Sequence, residues 1–306
     1  MDTPSLRALG RYPRPVDPGT MKFTSPLDEI VALRNSCRSY DGLPLGDPER
    51  GELMDFIAAL PAGPFGSAGR LEILDLDEFK SGAHKLGTYG VIRGAVTFIA
   101  GSAVPDEKGF VDFGFRLEAV ILRATDLGLG TCWLGGTLTR DAFAAAVGAP
   151  EGEIVPAITP VGRYAGKRTI ADRLIRWSAG SRNRKPWQEL FFDRDFSRPL
   201  APESGGAFSF ALETVRRAPS ASNKQPWRIV LGAGGREAHL LLQRSRGYNK
   251  LIRAADLQLV DMGIAMCHFE LAMREQGVAG AWSRTGTDPC PLPERTGYIA
   301  SWRSDA

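Results

Sequence analysis

Histidine is scarce in this chain. Its 306 residues include three, His84, His239 and His268, and none of them are paired at i, i+4. A metal centre held by protein side chains is not expected from that set. Cysteine is sparse too: Cys37, Cys132, Cys267 and Cys290 lie too far apart for a CxxC redox pair or a zinc knuckle. Cys37 and Cys132 read as small buried residues, and His268 as a core histidine. No apolar run approaches the ~20 residues that span a bilayer. Charge of one sign is also missing, with 38 basic residues against 35 acidic ones and a formal net charge of +3. A dedicated nucleic-acid binder needs a more concentrated basic surface. The first residues carry Asp2, Arg7 and Arg11 among prolines and no apolar stretch, so a signal peptide is not expected and the location expected is the reducing cytoplasm.

What is present is enough chain for one large domain or two ordinary ones. Residues 1–22 are rich in proline, glycine and polar side chains and read as an arm. Leu27, Ile30, Val31 and Leu33 mark one face of a helix over Pro26–Ser36. Asp47-Pro48 starts another, with Asp47 as cap, which runs through Leu60 until Pro61 stops it. Leu71–Leu74 and Ala95–Ala100 read as strands, Val111–Leu127 as a buried helix, and Thr131–Leu134 as a short strand. Pro156–Gly162 reads as an edge strand because prolines flank it. Arginine and lysine are dense between Arg163 and Arg184, either on a solvated connection or as a patch beside an anionic group. The stretch 166–205 reads as a wrapping linker anchored by Leu174, Trp177, Trp187, Leu190 and Phe191. A new helix begins near Phe208.

The chain also repeats itself. Asp112-Phe113-Gly114 begins a helix that ends near Gly128 and is followed by Trp133; Asp261-Met262-Gly263 begins one that ends near Gly277 and is followed by Trp282. The differences 261 − 112, 263 − 114, 277 − 128 and 282 − 133 all give 149. Asp261 reads as an N-cap and Gly277 as a C-terminal stop. Each half runs helix, proline-rich turn, strand, polar stretch, buried helix and short strand. Two such α+β layers, each with one apolar helical face, gain by burying those faces together, as a duplicated homodimer would. The halves expected are 23–165 and a shortened 206–306.

Two segments carry the chemistry. Arg34-Asn35-Ser36-Cys37-Arg38 places two cations and a hydroxyl at the end of a helix. Ala218-Pro219-Ser220-Ala221-Ser222-Asn223-Lys224-Gln225-Pro226-Trp227 is a turn of small hydroxyl, amide and proline residues leading into a strand. Together they could hold a phosphate and a polar ring system.

Both segments resemble those of the nitroreductase-like flavoproteins, which bind FMN at a dimer interface. Further likeness lies in Gly128–Gly136, in Pro156–Gly162, and in Arg184-Lys185-Pro186-Trp187-Gln188-Glu189-Leu190, which is similar to that family's C-terminal tail. The resemblance covers most of Pro26–Pro199 and resumes from Phe208 to Tyr298. It implies an α+β fold in which tandem halves form an intramolecular pseudo-dimer. It also implies that Arg34, Asn35, Ser36 and Arg38, with Arg182 or Arg184, hold the FMN phosphate and ribityl end. Pro219, Ser220, Ala221, Ser222, Asn223 and Gln225 would lie against the isoalloxazine, and Leu134, Gly135 and Gly136 near its N5 side. The first-half turn, Leu60–Ser67, has no matching amide or hydroxyl, and nothing like Arg-x-Ser-x-Arg lies between Pro202 and Phe210. One flavin per chain follows. The activity implied is NAD(P)H-dependent reduction of a nitroaromatic, quinone or similar small acceptor in a ping-pong cycle, with no nucleic acid, membrane or metal partner. A flavin enzyme specialised for one metabolite, or an FMN store or sensor without turnover, stays open beside it. No G-x-G-x-x-G run supplies a separate nicotinamide reader.

Overall fold

In a computed structural model of the chain, the residues described are 21–67, 69–75, 92–136, 138–166, 184–246, 255–284 and 288–305. Pro26 leads into helix α1 (Leu27–Leu33), shorter than the apolar pattern predicts because Arg34 leaves helical geometry at φ −58°, ψ 122°. Gly46, not Asp47, caps α2 (Asp47–Ala59), and Pro48 falls in the first turn, where its missing N–H has no intrahelical partner to lose. There follow β1 (Leu71–Asp75), β2 (Thr97–Gly101), the long α3 (Glu107–Asp126), β3 (Gly130–Thr131), α4 (Arg140–Ala146) and β4 (Ile158–Gly162). After the described chain resumes come α5 (Trp187–Leu190), β5 (Phe191–Asp193), α6 (Ser209–Arg217), β6 (Trp227–Leu231), β7 (Glu237–Gln243), α7 (Leu257–Glu275), β8 (Gly280–Ser283) and β9 (Thr296–Ser304). Among the described residues no helix is long and apolar enough to cross a membrane.

The strands form two sheets, ordered β1-β2-β4-β3 and β5-β6-β7-β9-β8. With β5 set aside the two orders match strand for strand, and every pairing within them is antiparallel. In each unit the long buried helix falls between the second and third strands of the chain. β5 is the addition: it belongs to the stretch read as a linker, yet it pairs in parallel with β6, Phe191 opposite Ile229. A parallel partner needs a long crossover, and the chain between β5 and β6 supplies one through α6.

The two units meet where α3 crosses α7. A β-carbon on Gly114 would overlap the Val260 carbonyl oxygen, and one on Gly263 would overlap that of Val111. Val111 and Val260 are themselves 149 residues apart, so each helix receives at its glycine the same piece of backbone that it offers to the other. One hydrophobic cluster runs through both units around this crossing, from Leu27 and Leu53 to Phe269 and Trp302.

Several sequence expectations are corrected. Asp112 and Asp261 do not begin the long helices: Asp106 and Asp256 cap them, Asp106 accepting from Gly109 N at 2.7 Å. Both helices therefore start about one turn earlier than read, and the later aspartates are buried in their interiors. β4 is no edge strand. It lies between β2 and β3, and Pro160 is tolerated because it faces Phe98 of β2 while the two-residue β3 pairs only with Val161 and Gly162. Of the stretch read as an arm, Met21 is buried, and Phe23 just beyond it packs edge-on against Phe56 at 5.7 Å.

The helix crossing gives a signed expectation. Gly263→Ala should destabilise the chain by about 1–3 kcal/mol, the usual range for forcing atoms into a packed interior. Gly51→Ala in α2, where a β-carbon meets nothing within 4 Å, should instead stabilise it, by roughly 0.5–1 kcal/mol. Urea unfolding measures both; a Gly263→Ala chain as stable as the parent would mean that the backbones do not touch there.

Candidate functional site

After α1 the chain extends and lies along β3. Ser36 bridges Thr131 in parallel, Cys37 N donates to Thr131 O at 2.8 Å, and Arg93 N donates to Arg38 O at 2.9 Å. Extended backbone alternates its side chains. Ser36 and Arg38 are accordingly exposed while Cys37 between them is buried. Arg34, Ser36 and Arg38 all act on one neighbour, the Cys132 thiol: burial pushes it up, and the Arg38 guanidinium, the Ser36 hydroxyl and the Arg34 charge oppose that. Asn35 turns the other way, its Nδ2 donating to Leu33 O at 3.0 Å and to Tyr164 Oη at 3.2 Å.

The second wall is the turn after α6. Ala218 closes the helix and Pro219 prevents its continuation. Ser220 O accepts from Asn223 N at 2.9 Å, and Ser220 Oγ accepts from Gln225 N at 2.9 Å. Ser222, Asn223 and Gln225 all sit in left-handed backbone, with φ of 50°, 52° and 47°. Such a conformation costs a non-glycine residue about 1–2 kcal/mol each, so surrounding contacts must hold it. Gln225, 1% exposed, is the main holder. Its Oε1 accepts from Lys185 N at 2.8 Å, its Nε2 donates to Asn223 O and Oδ1 at 3.2 Å, and its carbonyl accepts from Arg228 Nη1 at 3.1 Å. Ser222 and Asn223 are left exposed at the tip.

Arg184 is bonded to the second wall. Its Nη1 donates to Asn223 Oδ1 at 2.9 Å and its Nη2 to Arg217 O at 2.5 Å. Burial, with the charges of Arg34 and Arg216, pushes its guanidinium down to about 10, and Glu118 acts in the opposite direction. Arg34, which acts on Cys132 together with Ser36 and Arg38, is thus near enough to influence Arg184, and Arg184 is bonded to the Ser220–Gln225 turn. Arg182 lies outside the described residues. Leu134 exchanges two backbone bonds with Ile158, both 2.9 Å. Gly135 packs against α7, where a β-carbon would lie 2.7 Å from the Leu257 side chain, and Gly136 is exposed. Two predicted contacts have internal work instead: the Ser220 hydroxyl and the Gln225 amide both hold the turn.

The residues that sequence reasoning missed are charges inside the buried helices. Asp261 Oδ1 accepts from Ala221 N at 2.8 Å and fixes the turn to α7. Burial pushes this carboxyl well above the usual carboxylate range, and its Oδ2 has no hydrogen-bond partner among the described residues. Asp112, at the same place in α3, does the same for the first-unit turn with both oxygens, accepting from Phe65 N at 2.8 Å and Ser67 N at 2.7 Å. Burial raises it to about 6 against those two bonds. Arg116 completes that clamp by donating to the carbonyls of Pro61, at 3.0 Å, and Gly69. The first-unit turn is tied inward through both its N–H and its C=O groups. The available signal was Asp112, Arg116 and Glu118 in an otherwise apolar stretch.

The family model described as "Putative TM nitroreductase" matches residues 27–273. A solved Thermotoga maritima structure of that same description is 21% identical, with a TM-score of 0.55, covering 92% of this chain and 93% of that one; this is a likeness of fold. A nitroreductase with bound FMN from Desulfitobacterium hafniense DCB-2 is 20% identical with a TM-score of 0.38, covering 47% of this chain and 92% of its own. One with bound FMN from Bacteroides fragilis is 23% identical with a TM-score of 0.39, covering 48% and 92%. No curated protein matches the chain.

The strained turn makes its own prediction. Ser222→Gly should stabilise the chain, by about 0.5–1 kcal/mol, since glycine adopts left-handed backbone without a β-carbon clash. Gln225→Ala should destabilise it by roughly 1–3 kcal/mol, because it leaves buried donors and acceptors unpaired. Denaturant titration of both variants tests the pair, and equal effects of one sign would contradict this account of the turn.

Proposed function

This chain belongs to the TM nitroreductase family, and from that premise we propose that it is an FMN-dependent oxidoreductase with one flavin site built from both of its units. What supports this is that Arg34 acts both on Cys132, beside Ser36 and Arg38, and on Arg184, which is bonded to the Asn223 turn. The donor set fits the cofactor. Guanidiniums present planar forks and stay charged, which suits a phosphate monoester, and Ser36 adds a neutral donor. The exposed Ser222 and Asn223 face the position of a ribityl chain or ring, and Gln225 keeps them there. Gly136, which is exposed, leaves room for a backbone donor to come close. Bound FMN would supply two-electron transfer between a nicotinamide donor and a small acceptor such as a nitroaromatic or quinone. We assign donor and acceptor to one shared space, entered in turn, as in a ping-pong cycle.

The two units are read as duplicated halves, so the chain acts as an intramolecular pseudo-dimer without a second copy. The matching strand orders and the reciprocal glycine contact support that reading. β5 then extends the first half into the second sheet, as a tail would in a homodimer. Four free thiols suit a reducing cytoplasmic setting.

Two outcomes are expected. Acid release and quantification after reconstitution should give one FMN per chain, and a reproducible value near two would overturn the asymmetric site. Arg34→Ala should weaken FMN by about 1.5–3 kcal/mol, roughly ten- to a hundredfold in Kd, by removing a charge-assisted phosphate contact. Riboflavin, which lacks the phosphate, should bind both proteins alike; a Kd for FMN unchanged by the substitution would remove Arg34 from the site.

A further inference from the structure

Arg140 opens α4, and its side chain turns back onto the segment that carries Gly135 and Gly136. Its Nη2 donates to Gly135 O, and also to Pro156 O at 3.4 Å. Its Nε is buried and has no hydrogen-bond partner among the described residues. Burial pulls the guanidinium below the usual arginine range. A buried nitrogen left unsatisfied is unfavourable, so the contacts that Nη2 does make call for an account.

Those contacts fall where a strand pairing breaks off. Leu134 and Ile158 exchange both backbone bonds, each 2.9 Å. In an antiparallel pair the next such exchange lies two residues on, which sets Gly136 opposite Pro156. Proline has no N–H to give, and Pro156 O, which the Gly136 N–H would use, is taken by Arg140. The Gly136 N–H accordingly has no acceptor among the described residues, and Gly136 is exposed. Gly135 O, at the other end of the same peptide group, is bonded to the cation. A charged donor on the C=O polarises the peptide and strengthens its N–H as a donor.

This peptide group lies about one helical turn from the strained turn of the second unit. A β-carbon on Gly135 would come 2.7 Å from the Leu257 side chain, while Asp261 holds Ala221 N. Leu257 and Asp261 are i, i+4 neighbours on one face of α7, about 6 Å apart along its axis. Cys132, on which Arg34, Ser36 and Arg38 act, precedes Gly136 by four residues. One short segment thus links the residues assigned to the phosphate with the neighbourhood of the turn assigned to the ring.

We propose that Arg140 is a positioning residue for the flavin ring: it withholds Pro156 O from Gly136 and so keeps a polarised N–H free for the ring nitrogen N5. The proposal rests on the FMN site argued above, with Gly136 on its N5 side. Arg140 itself touches protein and not the ligand.

Two measurements on the full chain test it, the first without flavin. Hydrogen exchange should find the Gly136 amide unprotected in the flavin-free parent. In Arg140→Met, where Pro156 O is released and the pairing gains one more bond, its exchange should slow by roughly tenfold or more. The second is calorimetric titration with FMN and with 5-deaza-FMN, in which a C–H group replaces N5. The parent should bind FMN more tightly than 5-deaza-FMN, by roughly three- to tenfold for one hydrogen bond. Arg140→Met should lose that preference through weaker FMN binding alone, and Arg140→Lys, which keeps a charged donor, should restore most of it. Equal losses for the two flavins overturn the role in favour of a purely structural Arg140, and a preference intact in Arg140→Met overturns it outright. If Arg140→Met does not fold, the parent still decides: a protected Gly136 amide without flavin, or equal affinity for the two flavins, overturns the proposal. A parent with a free Gly136 amide that binds neither flavin overturns the FMN site itself and the ring role with it, a result distinct from the others.

Discussion

The crossing of α3 and α7 at Gly114 and Gly263 is the contact on which the rest of this molecule depends. Each helix brings its backbone against the other's carbonyl, at an approach that no side chain would permit. Once that crossing is set, the sheet belonging to each helix is placed relative to the other. The turn tied to Asp261 on α7 and the extended segment that follows α1 are then placed by the same crossing. The site is therefore a property of the interface and of neither unit alone. In the proposed site Arg34 and Arg38 come from one side and the strained turn, with Arg184 bonded to it, from the other.

Buried charges do the local work of this arrangement. Isolated charges inside a core are unfavourable unless they meet donors or acceptors. Asp112, Arg116 and Glu118 meet them within seven residues of one helix, each with a different task. Asp112 takes the N–H groups of the first-unit turn, Arg116 takes its carbonyls, and Glu118 reaches across to His268. On α7, Asp261 takes one N–H of the opposing turn, and Glu270 holds Trp282 Nε1 at 2.9 Å, as Glu118 holds Trp133. The polar residues in these helices are fasteners for chain that lies outside them.

Much of this was legible in the sequence, for reasons that can be traced. Apolar periodicity located α2 and both buried helices, and proline and glycine marked their ends. The offset of 149 picked out the glycines that cross, though not that they touch. Helix starts were misplaced because Asp112 and Asp261 look like caps when only the following apolar residues are considered; their partners, Phe65, Ser67 and Ala221, are distant in sequence. β5 was hidden for a similar reason. Three residues in a polar stretch carry no periodic signal, and only a partner strand in the other unit makes them a strand. The two site segments were recognisable by residue type, but the inward turn of Gln225 depends on Lys185 and Arg228, which no local pattern connects to it.

The two turns, compared directly, show what an open site requires of a fold. Both follow a helix, both contain a proline, and both are tied to an aspartate at the same place in a buried helix. The first turn uses its aspartate fully, adds Arg116, and has its N–H and C=O groups bonded inward. The second keeps one tie through Asp261, and Ser220, Gln225 and Arg184 hold it against the cost of three left-handed residues. A loop with no ligand to meet has no reason to retain that strain when the relaxed solution is available on the same scaffold. Among the described residues of the two turns, left-handed non-glycine backbone falls in the second and not in the first, which supports, independently of the arginines, the proposal that the second turn faces the ligand.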